Sequence, residues 1–514
     1  MHGEGFEDSA PEHTRVPEPA LGELAGWASQ VRPEAVPERV LSLAASQVLS
    51  QAAAIRTGAG HELGRRMTRA FGPPLQSDTC RSAAVLAGLG SWLNLDDTAY
   101  AGHLSNSTVA VPLAYAYAHR LDGLSLLTAV VVANECAARV TASATLGPLR
   151  GQSAVHTHLV GATAARLHCE QASGTVWRDA LGLALGMPNW PLMRAFLASD
   201  ARLLNALTPV RTAMDACDAA YAGLHGAPDL VEHPDGFLAR FADVPLPEAV
   251  TAGLGRRWHT ETLSFKMHPG GPGVDAAVDC AARIHDEVLA RPDAGQPEEV
   301  VVEASLYTLF AGQKAAPYVT GPGSPQGALV LDTPYAVAVT LLNGRFTPDD
   351  LASPALDEPR RWDLAKRVRL THDPAMTRDL LCSEAPFGEA LRQAGSAAEP
   401  WLRSFGGDAL VRQAAAQERS VRGDFRRAEK ATGARVTVLM ADGRTVVREQ
   451  RVPEGGAGPD TRMRHARLVR QKFRALGGPA WVAGQAPRMH RMSARELRQW
   501  IEAALGNDPY GAAP

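Results

Sequence analysis

The chain has 514 residues, a formal net charge of −3, 45% hydrophobic residues and 21% charged ones. That balance suits a globular protein with room for two cores, and without a clustered Lys/Arg stripe nucleic acid is not expected as a partner, because phosphate binding depends on grouped cations. No uninterrupted apolar run approaches the ~20 residues that span a bilayer, so no membrane partner is expected and the reading is cytoplasmic.

Residues 1–20 carry early acidic side chains and no apolar stretch, which predicts a disordered leader rather than a signal peptide. From about residue 20 to 260, Ala and Leu recur at helical period. Leu41, Leu43, Ala44, Val48 and Leu49 share one face, and residues 111–117, 124–138 and 162–167 repeat the pattern between Gly, Pro or polar breaks. Segment 126–138 (LLTAVVVANECAA) is apolar nearly all round, as expected of a helix in the middle of a bundle.

Near Phe265 the texture changes. Strands are predicted at Glu299–Ala304 and Arg367–Thr371, and a hairpin at Val436–Met440 and Thr445–Arg451 around Ala441-Asp442-Gly443. A helix is predicted at Pro334–Leu342, and helical period returns after about residue 460 in RMRHARLVRQKFRAL and SARELRQWIEAAL. The fold class is therefore mostly α. A large all-α domain (21–262 plus 460–505) is expected beside a smaller α+β lid domain (263–459). The six cysteines show no CxxC pair and read as buried, reduced thiols.

Most catalytic signatures are absent. The sequence has no P-loop, GxSxG, HExxH or GxGxxG, and HPGGPG (268–273) lacks phosphate-loop spacing. Neither a nucleotide nor any other cofactor is expected. Asp96, Asp97 and Thr98 follow an apolar helical segment, with His103 a few residues on. The plain alternative is a helix cap and a surface histidine. His156 and His158 stand at i and i+2 at the start of a helix, so they do not share a face as ligands of one metal. Lys266 lies at the texture change, where a cleft between domains would place it, although a surface lysine at a hinge reads equally well. His259, His372 and His490 read as surface.

In order, these segments resemble the MmgE/PrpD family, which includes 2-methylcitrate dehydratase and cis-aconitate decarboxylase. The resemblance spans about residues 30–475. It rests on LNLDDTAYAGHLSN (93–106), NECAARV (134–140), WRDALGLALG (177–186), DGFLARF (235–241), SFKMHP (264–269), LDTPYAVAVTLLNGRF (331–346), VTVLMADGRT (436–445) and KFRAL (472–476). It implies a homodimer of two-domain subunits with a metal-free cleft. The implied catalytic residues are Asp96, Asp97, His103, His156 and Lys266. The implied substrate-binding residues are Thr98, Gln152, His158, Arg202, His268 and Tyr318. Gln152 and His156 compete for the family's second histidine position, and Tyr307 competes with Tyr318. Arg202 stands where the family has a lysine, keeping the charge and adding a bidentate fork but removing a proton donor. The histidine that follows the lysine in the family is replaced by Gly270-Gly271.

The resemblance implies a cofactor-free lyase, first a hydro-lyase on a small hydroxy-polycarboxylate of the 2-methylcitrate or citrate kind. Decarboxylation or isomerisation of an aconitate-like acid is the alternative, and an inactive carboxylate-binding homologue is a third. In each enzyme reading, Lys266 and Arg202 clamp carboxylates and neutralise enolate-like charge. His103 and His156 move protons, and Asp96 or Asp97 orients one imidazole.

Overall fold

The computed structural model describes residues 18–506 except 100–101, 149–152, 189, 292, 294 and 416–422. The predicted leader lies outside the described residues up to residue 17. The fold is mostly α, with a small sheet region in the second half.

The first half is a helix bundle. The helices that position the site are α1 (Glu38–Gly60), α2 (Thr79–Ser91), the single turn α3 (Ser105–Thr108), α4 (Gly123–Ser143), α5 (Ser153–Cys169) and α6 (Leu204–Tyr221). Their starts follow capping chemistry. Asp78 accepts from Arg81 N–H at 3.0 Å to open α2, and Asp122 accepts from Ser125 N–H at 2.8 Å to open α4. Helix α4 is long and apolar enough to cross a membrane, but 89% of its apolar window is buried inside the protein. The polar groups that α4 does carry (Asn134, Glu135 and Arg139) are all buried, and they fasten neighbouring loops. Gly161 lets α5 approach α3, since a Cβ there would stand 2.4 Å from Ser107 Oγ.

The second half is built on a four-stranded sheet of β3 (Pro297–Ala304), β4 (Val368–His372), β5 (Ala434–Met440) and β6 (Thr445–Gln450), in the order β4-β3-β5-β6. β3 pairs parallel with β4 and antiparallel with β5, and β5–β6 is the hairpin expected around Asp442-Gly443. Alternate residues of β5 are buried, so one face packs on helices α7 (Val274–Ile284) and α8 (Thr333–Asn343). The last helices, α9 (Pro459–Ala475) and α10 (Ala494–Leu505), lie back against α1.

A two-stranded ladder joins the halves. β1 (Asp97–Thr98) pairs antiparallel with β2 (Ser264–Phe265), setting Asp97 opposite Phe265 and Thr98 opposite Ser264. Gly455, at φ +79°, closes over this ladder. Its carbonyl accepts from Phe265 N–H at 2.8 Å, and a Cβ at Gly455 would fall 2.2 Å from Phe265 O.

Two sequence expectations need correction. His259 is buried, because its segment is pinned under Glu135 and its ring packs on Phe425 with centroids 4.9 Å apart. The thiols are not uniformly buried. Cys136, Cys217 and Cys280 are, but Cys80 and Cys169 are half-buried and Cys382, at a helix end, is exposed.

Candidate active site

The acidic pair sits where α2 runs into β1. Extended backbone sends consecutive side chains to opposite sides, so Asp96 and Asp97 do different jobs. Asp97 Oδ1 accepts from the backbone N–H groups of Leu104 (3.3 Å) and Ser105 (3.1 Å), holding the start of α3. Asp96 Oδ2 meets His103 Nδ1 at 2.7 Å and accepts from Asn106 Nδ2 at 2.6 Å. Asp96 Oδ1 faces Lys266 Nζ at 3.9 Å, and Lys266 Nζ also donates to Gly270 O at 2.9 Å. The ladder makes this meeting possible, because Lys266 N–H donates to Asp96 O at 3.1 Å.

A buried amide network supports the loop from below. Gln51 donates to Asn106 Oδ1 at 3.0 Å and accepts from Ser105 Oγ at 2.7 Å. One turn earlier on α1, Gln47 exchanges hydrogen bonds with Asn134, which also accepts from Thr108 Oγ1. Glu135 accepts from His259 N–H, Thr260 N–H and Thr260 Oγ1, each at 2.9 Å. It thereby fixes the segment that leads to Lys266. The NECAARV resemblance thus corresponds to a scaffold under both sides of the site.

The electrostatics separate the two acids. Burial pushes the Asp96 carboxyl up, but His103 and then Lys266 outweigh it and hold Asp96 at about 2. For Asp97, burial and then the Asp96 charge raise it to about 6. Burial lowers His103; Asp96 opposes that, while Lys266 and Arg202 reinforce it. His103 keeps 24% of its side chain accessible, whereas Lys266 keeps 6%. The hinge-surface alternative for Lys266 therefore fails.

Four cations surround the pair. Arg202 donates to Trp92 O (2.8 Å) and Asn94 Oδ1 (2.7 Å), stacks on Phe196, and leaves one terminal nitrogen without a partner among the described residues. Lys430 Nζ donates to Thr98 Oγ1 at 2.6 Å. Lys472, on α9, donates to Ser50 Oγ at 2.8 Å and to Leu95 O. Among the described residues, only Lys266 of the four lies within 4 Å of a carboxylate. Burial first, and then for Lys430 the Lys266 charge, lowers Lys430 to about 8 and Lys472 to about 7. Asp275 completes the group, with burial raising its carboxyl.

Other sequence candidates are placed elsewhere. His156 is buried with both ring nitrogens unpartnered among the described residues, edge-on to Phe237 (5.1 Å) and Phe241 (5.8 Å). That apolar enclosure lowers it to about 3. His158 is closer to the cluster, 3.4 Å from Ser107 Oγ, but burial also holds it at about 3. His268 pairs with Asp279 at 3.2 Å. Tyr318 lies under the Arg194 guanidinium (6.0 Å), and Tyr307 packs edge-on to Phe387. Neither tyrosine hydrogen-bonds to the cluster among the described residues. Gln152 lies outside the described residues. Among those described, no three His, Cys, Asp or Glu side chains converge as metal ligands.

The sequence reading assigned no role to Lys430, Lys472, Asn106 or Asp275. One signal pointed to the first two. The chain has only five lysines among 52 basic residues: Lys266, Lys314, Lys366, Lys430 and Lys472. Lys314 and Lys366 are exposed, and the other three meet at the acidic pair.

Helical bundle, small sheet region and a cation-lined carboxylate–imidazole pair at the ladder between them define a two-part α-rich protein. The MmgE/PrpD N-terminal domain matches residues 22–248 and the MmgE/PrpD C-terminal domain matches residues 268–395, so the chain belongs to the MmgE/PrpD family. It is 26% identical over 411 residues to a cis-aconitate decarboxylase-like protein of Aspergillus oryzae, covering 71% of this chain and 81% of that protein. It is 25% identical to the cis-aconitate decarboxylase of Aspergillus terreus, covering 71% and 80%, and 24% identical to that of Mus musculus, covering 55% and 58%.

Proposed function

We propose that the chain is a lyase of small polycarboxylates and that its reaction is decarboxylation of an unsaturated tricarboxylate of the cis-aconitate kind. The observation that carries this reading is an accessible imidazole, His103, held by Asp96 at 2.7 Å among four cations. Loss of CO2 leaves an electron pair that spreads over the double bond into a neighbouring carboxylate. Lys266 and Arg202 stabilise that charge, and His103 delivers the one proton that carbon needs. Dehydration, expected first from the sequence, needs a base and a separate acid for the leaving hydroxyl. Burial holds His156 and His158 both near 3, which favours the reaction that asks His103 for one proton only. The names of the relatives support the same choice. Asp96 keeps His103 oriented, and bound carboxylates raise its proton affinity by offsetting Lys266 and Arg202.

The test is NMR of the purified protein with cis-aconitate, citrate and 2-methylcitrate in D2O. CO2 release from cis-aconitate, with one solvent deuteron on the product carbon, is the expected result. Water loss from a hydroxy acid would return the reading to a hydro-lyase, and tight binding with no turnover would make the chain a carboxylate-binding homologue. The homodimer implied by the resemblance belongs to the same proposal, and light scattering of the eluted protein tests it.

A further inference from the structure

We infer that Lys430 is a substrate-carboxylate anchor supplied by the second half of the chain, receiving a carboxylate between itself and Lys266 while Arg202 holds the other end. The inference rests on the polycarboxylate reading above and names which residue sets how many carboxylates the site takes. Four observations carry it.

First, the ammonium is parked on a neutral group. Its hydrogen-bond partner is the Thr98 hydroxyl at 2.6 Å, with no carboxylate within 4 Å among the described residues. A charged group held by one hydroxyl in a half-buried place gains by accepting an anion. Second, its backbone is tied to the site. Lys430 N–H donates to Ala457 O at 2.9 Å, and Ala457 N–H donates to Ser264 Oγ at 2.9 Å, two residues before Lys266. Third, the lysine is unusual here: a chain that uses arginine for nearly all of its basic positions keeps lysine at this one. A compact, mobile ammonium can leave a hydroxyl for a ligand with less rearrangement than a planar guanidinium. Fourth, Lys266 is the charge acting against Lys430, offset only in part by Asp275, Asp96 and Asp97. A carboxylate between the two relieves that repulsion, so two lysines and one anion are more stable together than the lysines alone.

The probe is tricarballylate, an unreactive tricarboxylate, compared with glutarate, which carries two carboxylates. Wild type should bind tricarballylate more tightly than glutarate by calorimetry. Lys430→Met should weaken tricarballylate about 10- to 100-fold, the range for one charge-assisted contact, and should leave glutarate nearly unchanged. Lys430→Arg, which keeps the charge but not the compact ammonium, should recover only part of the difference. Where turnover is found, the loss should appear in KM more than in kcat, because the anchor acts in ground and transition states alike. Acetylation by acetic anhydride at pH 8, read by peptide mass spectrometry, should be slowed at Lys430 by tricarballylate. Equal affinity of wild type and Lys430→Met for both acids, with Lys430 acetylated at the same rate with and without tricarballylate, would overturn the anchor. A drop in melting temperature without the change in acid preference would overturn it too, leaving Lys430 as a structural hook on Thr98. Absence of turnover on every substrate defeats the lyase reading alone, since binding and acetylation still decide the anchor.

Discussion

With Asp96 held at about 2, His103 keeps an anionic partner across the whole working range, and its own proton affinity depends on what occupies the site. In the free protein, burial, Lys266 and Arg202 depress the imidazole below its ordinary value. Bound carboxylates reverse part of that. A general acid loses activity as pH rises through its pKa, so the alkaline limb should fall at higher pH for kcat, which reports the complex, than for kcat/KM, which reports the free enzyme. Coincident limbs would count against His103 as the donor. His103→Ala should reduce turnover by roughly 100- to 10,000-fold while melting within a few degrees of wild type, since Asn106 still holds Asp96. Lys266→Ala is a different case. The side chain is buried against Gly270 O and Asp96, so its removal leaves a buried carboxylate short of a cation. A cost of about 1–3 kcal/mol in denaturant unfolding should accompany the loss of activity. An unchanged melting curve would mean that the pair contributes nothing to the fold.

At the scale of elements, α9 brings Lys472 beneath the acidic loop, where it meets Ser50 Oγ and Leu95 O. Burial depresses it to about 7 from an unfolded value near 10.4. A depressed folded pKa contributes stability that is present above the unfolded value and lost as pH falls through the folded one. Between about pH 10 and 7 the unfolded chain binds a proton that the folded one resists, so stability should fall toward neutrality by roughly 1.4 kcal/mol per pH unit for this one group. Lys472→Met should flatten that slope by about one proton, whatever it does to the absolute melting temperature; an unaltered slope would refute the assignment. The same elements show what was readable beforehand. β3, β4 and the hairpin declared themselves through β-branched runs and Asp442-Gly443, and α8 through the helical pattern of Pro334–Leu342. The four residues β1 and β2 did not, because two-residue strands have no period to read, and they are what bring Asp96 to Lys266. The surroundings of His156 were illegible for a related reason. A histidine in a small-residue helix gives no hint of Phe237 and Phe241, which close over it from some 80 residues away.

For the whole molecule, the two halves share a core, and this should make them unfold together. Ala142, Leu146, Val244, Leu246 and Ala249 of the bundle pack with Leu380, Phe387, Trp401 and Phe425 of the second half, and Trp401 Nε1 donates to Gly147 O at 2.9 Å. At the centre of this seam the buried Arg257 guanidinium pairs with Glu389 and lies 4.6 Å over the Phe425 ring. Two charges withdrawn from water roughly offset their own attraction, so the pair adds little net stability, but removing Glu389 strands Arg257, whereas Glu389 keeps a second cation in Arg392 at 3.3 Å. Glu389→Ala should therefore cost about 3–5 kcal/mol in urea unfolding. The Arg257→Leu/Glu389→Leu double variant should lose much less than the sum of the single changes, giving a coupling energy well above 0.5 kcal/mol. Tryptophan fluorescence and circular dichroism should trace one coincident transition in all of these proteins. Two separated transitions would show that the seam is not a common core. Additive single changes would show that Arg257 and Glu389 are independently solvated rather than paired.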